Sequence, residues 1–585
     1  MRKVSLLLLL FLSVTFLPAQ QLEESAKGIT KEQLQQWVER LASPEFEGRK
    51  TGTEGIEKAA KMIEETFEKS NLRKFGTLNG YRQTLTMVRY ELDGLPTFSA
   101  DGVAFKHDED FTVMDFSGEG NLDEIPLLFC GYGITEPKLP YDDYANLDVE
   151  GKAVLLLRGA PRFEQKDTPF KGEYYRHAHF RDKVKNAMNH NAAAILIASG
   201  TEKDDKNTRN ALSVAAFAVK EESKRIPVII ITPKVALQLL GTDLSKLKSQ
   251  IDDSLKPHSF LVEGRKISLK VKLKKSNAST SNICGYIEGS DEYLKERFIV
   301  VGAHYDHLGK RGNLFFPGAD DNASGTATVL ALAKTFSTLN TPPKRSIIFI
   351  AFTGEEIGFV GSSHFVDNPP VPLNSLDVMI NIDMVGQVPP GPTASFAGGS
   401  ASPLLERLSK EAAKKCGVTV KTSPDAGYGS DHFSFLNKSI PSIFVIASRG
   451  ADLHKPSDTP DKIPYERMCS VVRSVFYLAY YLADYDGVIR DRIGGLPTLG
   501  LFLEETDGGL QVVRVLAESP ASTAGIKKDD IIFELDGKPV KTEKEFETAL
   551  TEVSQKKKIY LKLRRDSTEL SLEVSLPLPP KPRFR

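Results

Sequence analysis

The chain has 585 residues with 41% hydrophobic and 26% charged content, too long for one ordinary core and too apolar for a disordered or fibrous chain. A formal net charge of -1 without a long basic run leaves non-specific nucleic-acid binding without electrostatic support. Four cysteines (Cys130, Cys284, Cys416, Cys469) form no CxxC and no close pair, so they read as small buried hydrophobes rather than a disulfide framework or a thiolate metal site.

The first residues read as a leader. Arg2 and Lys3 precede an apolar run from Val4 to Leu17, followed by Pro-Ala-Gln-Gln. A basic start, a short apolar run and a small residue near a cut site describe a secretory signal, and the run is shorter than the ~20 residues of a membrane-spanning helix. An uncleaved anchor is the competing reading. Residues 1–20 are therefore expected to direct export to the periplasm or the outside. No later segment is long and apolar enough to span a bilayer once the leader is removed.

Residues 30–72 read as helix, loop, helix. Leu34, Trp37, Val38 and Leu41 recur at helical spacing, Glu47-Gly-Arg-Lys-Thr-Gly-Thr-Glu-Gly55 interrupts, and Ile56, Ala59, Ala60, Ile63 and Phe67 resume it. Strand-like segments follow to about residue 118. From 119 to 262 the texture changes to apolar strands bounded by glycine, "GKAVLLLRG" and "AAAILIASG". These resemble the protease-associated (PA) domain inserted in several exopeptidases. His177, His179 and His190 fall here and read as ordinary surface histidines.

Residues 263–488 alternate strands and helices. Phe298–Gly302, Ser346–Ala351, Val378–Ile382 and Ser442–Ile446 are continuous apolar runs, with helical patterns at Thr326–Leu339 and Pro403–Lys415 between them. Strands apolar on both faces and separated by helices imply a largely parallel sheet covered on two sides. The last segment, 489–580, carries "LQVVRVLAESPASTAGIKKDDIIFELDGKPV" and resembles a PDZ domain. In it Leu499-Gly-Leu-Phe502 stands where such domains capture a C-terminal carboxylate by strand addition. The expected layout is thus a leader (1–20), an α/β domain in two pieces (21–118 and 263–488), a β-rich insert (119–262) and a PDZ domain (489–580).

The chemistry-bearing residues gather at the ends of the apolar runs. His304-Tyr-Asp306-His307 follows the first run, Gly354-Glu355-Glu356 the second, Asp383 the third, and His454-Lys-Pro-Ser-Asp458 lies in the loop after the fourth. Gly318-Ala-Asp320-Asp321-Asn-Ala-Ser-Gly325 opens a helix. In an open α/β sheet such groups share one crevice beyond the carboxyl ends of the strands. Imidazole with carboxylate and no thiolate suits a catalytic zinc, and the candidates are too many for one tetrahedral ion with an open position. They suit two ions sharing a bridging carboxylate.

"GAHYDHLG", "GADDNASG", "FTGEEIG", "NIDMVG" and "HKPSDT" occur in the order found in the M28 family of zinc exopeptidases, and "EFEGRKTGTEG" resembles that family's opening segment. The resemblance implies two Zn2+ per chain. His304 and Asp383 would hold one, Glu356 and His454 the other, and Asp321 would bridge. It implies Glu355 as general base and Asp306 as the partner of the His304 ring. Asp320 would be a structural neighbour. Tyr428, close to Ser430-Asp431-His432, is the candidate for stabilising the oxyanion, although one residue nearer Ser430 than in the family pattern. Asp431 and His432 read as supporting residues.

Each piece has an ordinary reading: Glu355-Glu356 as an acidic helix start, Asp320-Asp321 as a cap, His307 and His364 as structural or rim residues. Together the pieces imply a secreted aminopeptidase acting on peptides or proteins. A single-zinc glutaminyl-peptide cyclase or a carboxypeptidase-type enzyme on the same fold is the alternative. A non-enzymatic receptor is a third reading, which normally leaves ligand positions substituted. The insert is expected to restrict access to the crevice, and the PDZ domain to bind a C-terminal or extended peptide.

Overall fold

The computed structural model describes residues 20–577 apart from 115, 164, 166, 199–215, 219–224, 312–313, 428 and 449. Tyr428 and all but the last residue of the expected leader lie outside the described residues. The chain divides into two compact units, Met1–Thr84 with Ser281–Lys310 and Phe315–Arg585, and Leu85–Thr280 with Arg311–Leu314.

Three short strands form the centre of the first unit: β1 (Phe298–His304), β2 (Ser346–Phe352) and β3 (Leu376–Ile382), every residue of which is buried. Such runs of apolar residues are stable only where both faces of a sheet are covered. β1 pairs parallel with β2 and β3. Beyond β3 come β6 (Ser442–Ile446), parallel to it, then β4 (Thr393–Ala397), antiparallel, and β5 (Thr419–Ser423) at the edge. On the other flank Ile283–Ile287 pair antiparallel with β2. The sheet is mixed, with parallel pairs at its centre and antiparallel pairs on both flanks.

Alternation along the strands divides the core in two. Ile299, Val301, Ala303, Ile347, Phe349 and Ala351 join helices on one face, whereas Val300, Ile348, Ile350 and Phe352 meet Phe365 and Phe435 on the other. The first face is covered by α1 (Lys31–Leu41), α2 (Glu54–Lys69), α3 (Gly325–Ser337), α5 (Pro403–Lys415) and α7 (Tyr465–Asp484). The second is covered by α4 (Val360–Asp367) and α6 (His432–Asn437). α3 is buried on nearly every side, as expected of a helix with no polar stripe. Its Phe336 packs 4.8 Å from the ring of Phe476 on α7.

The second unit holds a separate sheet. Gly120–Cys130 pairs with Ser259–Val271, then Ala153–Leu157, Ala194–Ala198 and Val228–Ile231 follow in parallel. The last three strands are wholly buried.

Toward the C-terminus, β7 (Leu501–Thr506), β8 (Gly509–Val515), β9 (Ile531–Leu535), β10 (Lys558–Arg565) and β11 (Thr568–Ser575) pair in that order. They enclose their own core with α8 (Glu543–Val553). A capping box between Thr542 and Glu545 starts α8 by satisfying two free N–H groups reciprocally. This module is tied to the rest of its unit by Arg514, which bonds Asp291 and Asp486, and by the Tyr293 and Phe502 rings, 5.2 Å apart. The four cysteines are free thiols. Among the described residues no helix is long and apolar enough to cross a membrane.

Buried Arg345 anchors the junction: Nε donates to Asp377 at 2.8 Å, and the two terminal nitrogens bond the carbonyls of Tyr485 and Gly487. Removing one member of a buried ion pair leaves unpaired polar groups, so Arg345→Met is expected to cost about 3–5 kcal/mol, read as a lower denaturation midpoint. An unchanged midpoint would contradict this role.

Candidate metal centre

Parallel strands carry their carboxyl ends to one edge of the sheet. At that edge His304 ends β1, Glu355 and Glu356 follow β2, Asp383 follows β3, and His454 sits in the loop after β6. The sheet therefore brings together residues 150 positions apart, as the strand-end pattern predicts.

Asp321 stands between two sets of side chains. Its Oδ1 is 3.4 Å from Nε2 of His304, which lies 3.4 Å from Oδ1 of Asp383. Its Oδ2 is 3.2 Å from Nε2 of His454, which lies 3.1 Å from Oε2 of Glu356. Glu355 offers a donor atom beside those of His304 and Asp383. His454 is about half exposed, at 48% of its side chain, whereas the other four ligand candidates are nearly covered.

The turn carrying Asp321 is held in detail. Asp458, from the "HKPSD" segment, accepts the backbone N–H groups of Asp320 (2.9 Å) and Asp321 (3.0 Å). Asn322 donates to the carbonyl of Ile382 and accepts the N–H of Gly325, which ties the turn to the end of β3. A Cβ at Gly318 would collide with the Asp321 carbonyl and the His307 ring, and one at Gly325 with Asn322 and Ile382. Gly318 also has φ of +57°, a region that L side chains rarely adopt. Asp320 points away: its Oδ1 accepts from the N–H groups of Gly386 and Gln387, at 2.7 and 3.1 Å. Burial and the nearby Asp458 carboxylate push its pKa up to about 8.

One sequence expectation changes here. The Asp306 carboxylate stands 3.7 Å from Nδ1 of His304, and the shorter 3.2 Å contact belongs to its backbone carbonyl. The carboxylate accepts instead from Thr51 Oγ1 (2.9 Å) and from the N–H groups of Glu355 (3.1 Å) and Glu356 (3.3 Å). Asp306 thus fixes the tip after β2 as well as the strand end that it follows. His307, expected as a structural or rim residue, is a structural one: it is fully buried, with Nδ1 2.8 Å from Oε1 of Glu356. The repeated His in "HYDH" was the available signal.

Arg49 could not be placed from spacing alone. Its fully buried guanidinium donates to the carbonyls of Leu41, Tyr305, Pro317 and Gly318, joining the end of α1 to β1 and the Asp321 turn. Burial lowers its pKa to about 10, although four carboxylates oppose the shift. Asp431 is also fully buried, which raises its pKa to about 7.

The electrostatics are those of crowded acids. Burial favours a neutral His304, but Glu355, Asp383 and Asp321 outweigh it and hold the ring well above its ordinary pKa. Burial followed by Glu356, Asp383 and Asp431 drives Glu355 well above the ordinary carboxyl range, with His304 opposing. Oδ1 of Asp383 is buried without a hydrogen-bond partner. Such a pocket of imidazole nitrogens and carboxylate oxygens, short of positive charge, suits divalent cations.

Residues 282–479 match the family model for Peptidase family M28, residues 124–239 that for the PA domain and residues 497–576 that for the PDZ domain. Aminopeptidase YwaD of Bacillus subtilis (strain 168) is 29% identical over 282 residues, 47% of this chain and 58% of that protein. The chain spans a little over half the length of the curated relatives it matches. An aminopeptidase from Aneurinibacillus sp. strain AM-1 superposes with a TM-score of 0.55 at 20% identity, over 80% of this chain and 97% of that one. BSAP, a zinc aminopeptidase from Bacillus subtilis, gives 0.53 at 23% identity over 80% and 98%. At these identities the likeness concerns the fold.

Zinc added to chelator-stripped protein is expected to raise the melting midpoint, by the equivalent of about 2.7 kcal/mol at a free concentration 100 times the dissociation constant. Asp321→Ala should remove most of that gain. A midpoint indifferent to zinc in the wild type would contradict the assignment.

Proposed function

We propose that this chain, which belongs to peptidase family M28 through residues 282–479, is an exported two-zinc aminopeptidase that hydrolyses N-terminal peptide bonds. The observation that carries the reading is Asp321, one carboxylate oxygen toward His304 and Asp383 and the other toward His454 and Glu356. The donor set fits zinc: imidazole and carboxylate, no thiolate, one position more exposed than the rest. His304 and Asp383 would hold one ion, Glu356 and His454 the other, with Asp321 shared between them. When bound, the ions supply Lewis-acid charge that activates a water molecule and polarises the substrate carbonyl.

The protein's own groups do the remainder. Glu355, held at its backbone by Asp306, takes the proton from the attacking water. The water oxygen bonds to the carbonyl carbon, the C–N bond breaks, and Glu355 returns the proton to the leaving amine. His307 orients Glu356 through Oε1, leaving Oε2 on the side of His454. Asp458 and Asn322 hold the Asp321 turn, so that its carboxylate does not have to be positioned on binding. Tyr428 remains the candidate for the oxyanion, from the resemblance alone.

Export rests on the residue pattern of the leader. The PDZ domain is read as a binding module for a peptide C-terminus, separate from the hydrolytic centre.

Glu355→Gln should lower kcat/KM on aminoacyl-nitroanilides by roughly 10²–10⁴-fold with zinc content unchanged. A digest of blocked and unblocked peptide libraries should show residues lost in sequence from free N-termini. Full activity in Glu355→Gln would sink the proton-transfer role, and cyclisation of N-terminal Gln peptides without stepwise loss would favour the cyclase reading.

A further inference from the structure

A cavity of about 470 Å³ lies away from the histidine–carboxylate cluster, at the junction of the PDZ and peptidase domains. Its volume is in the range of built ligand sites. On one side stand Leu501 and Leu503 of β7 with Phe546 and Leu550 of α8, and on the other Leu294, Asn374 and the connector residues Ile489 and Arg490. β7 is the terminal strand of its sheet and pairs only with β8 among the described residues. Its free edge therefore offers backbone N–H and C=O groups for strand addition.

The charges on the peptidase side are unbalanced. Arg297, Arg345 and Arg490 all line the cavity, together with a single carboxylate from that side, Asp377. Asp377 is already paired with Arg297 and Arg345. Arg490 is 4% exposed; among the described residues it bonds the carbonyls of Leu376 (3.1 Å) and Lys438 (3.5 Å), and its Nε has no hydrogen-bond partner. Burial acting first, and Arg297 beside it, weaken its hold on a proton, with the Asp377 carboxylate opposing. One carboxylate shared among three arginines, and in direct contact with only two of them, leaves buried positive charge poorly compensated, so this wall favours an anion. Glu543 and Glu547 border the groove on α8, but they are exposed and screened by water.

We propose that the PDZ groove is a composite site whose second wall belongs to the peptidase domain, and that it takes a peptide with a free C-terminal carboxylate and an apolar last side chain. The last residues would add to β7, the apolar side chain would lie among Leu501, Leu503, Phe546 and Leu550, and the carboxylate would answer the charge of Arg490. The ligand then bridges two domains that Arg514 already clamps through Asp291 and Asp486. This deepens the peptide-binding reading of the PDZ domain given above and rests on it.

The test uses the full chain and hexapeptides that are dye-blocked at the N-terminus, randomised except for a final Leu, and ending as free acid or amide. Fluorescence anisotropy is expected to show the acid pool binding at least tenfold more tightly than the amide pool. Arg490→Met should weaken the acid pool about tenfold and leave the amide pool unchanged, with turnover of small nitroanilides as the folding control. A purely structural loss would weaken both pools alike and would count against the proposal. A photo-crosslinker placed just before the final Leu supplies a test that needs no variant: products should map to both walls, within 288–297 or 488–493 and within 499–553. Crosslinks confined to 499–553, or an unaltered acid preference in Arg490→Met, would overturn the composite site while leaving the PDZ reading intact. Binding of neither pool to the wild type would overturn both.

Discussion

The Asp321 carboxylate faces two histidine–carboxylate pairs at once, and much of the surrounding structure keeps it there. Asp458 receives the N–H groups of its turn, Asn322 ties that turn to β3, and Gly318 and Gly325 let the backbone pass where any side chain would collide. Arg49 donates to the carbonyls of Pro317 and Gly318 from 268 and 269 positions upstream, so the opening segment is part of the same support. Buried like charges repel strongly where water is excluded, and the protein meets that repulsion with histidines, one buried arginine and places for cations. The sheet makes this possible, because only parallel neighbours deliver so many chain ends to one edge.

Much of this was legible in the sequence because two periodicities were clean. Runs such as Phe298–Gly302 and Ser346–Ala351 are apolar on both faces, which only a covered parallel sheet tolerates, and the residues that follow each run are His, Asp or Glu. The helix expected at Pro403–Lys415 has those bounds, with Ser402 as its N-cap. The central helix begins one residue earlier than its pattern suggested and ends two earlier, at Ser337, where fraying ends are poorly specified by periodicity.

What the sequence hid were contacts made through backbone groups. Nothing in the spacing of Asp306 says that its carboxylate takes the N–H groups of Glu355 and Glu356 instead of the His304 ring. The burial of His307 depends on a turn that folds over it, and Arg49 looks like any basic loop residue until its carbonyl partners are seen. The junction with the PDZ domain was equally silent, since Arg345, Asp377, Arg490 and Arg514 are scattered along the chain and meet only through tertiary packing. These are long-range polar contacts, and periodicity carries no information about them.

The number of zinc ions per chain tests the central claim most directly. Metal analysis of the purified full chain, with protein quantified independently, is expected to give two zinc per chain. A value of one, unchanged when the protein is saturated with zinc and freed of excess, would contradict a site shared through Asp321.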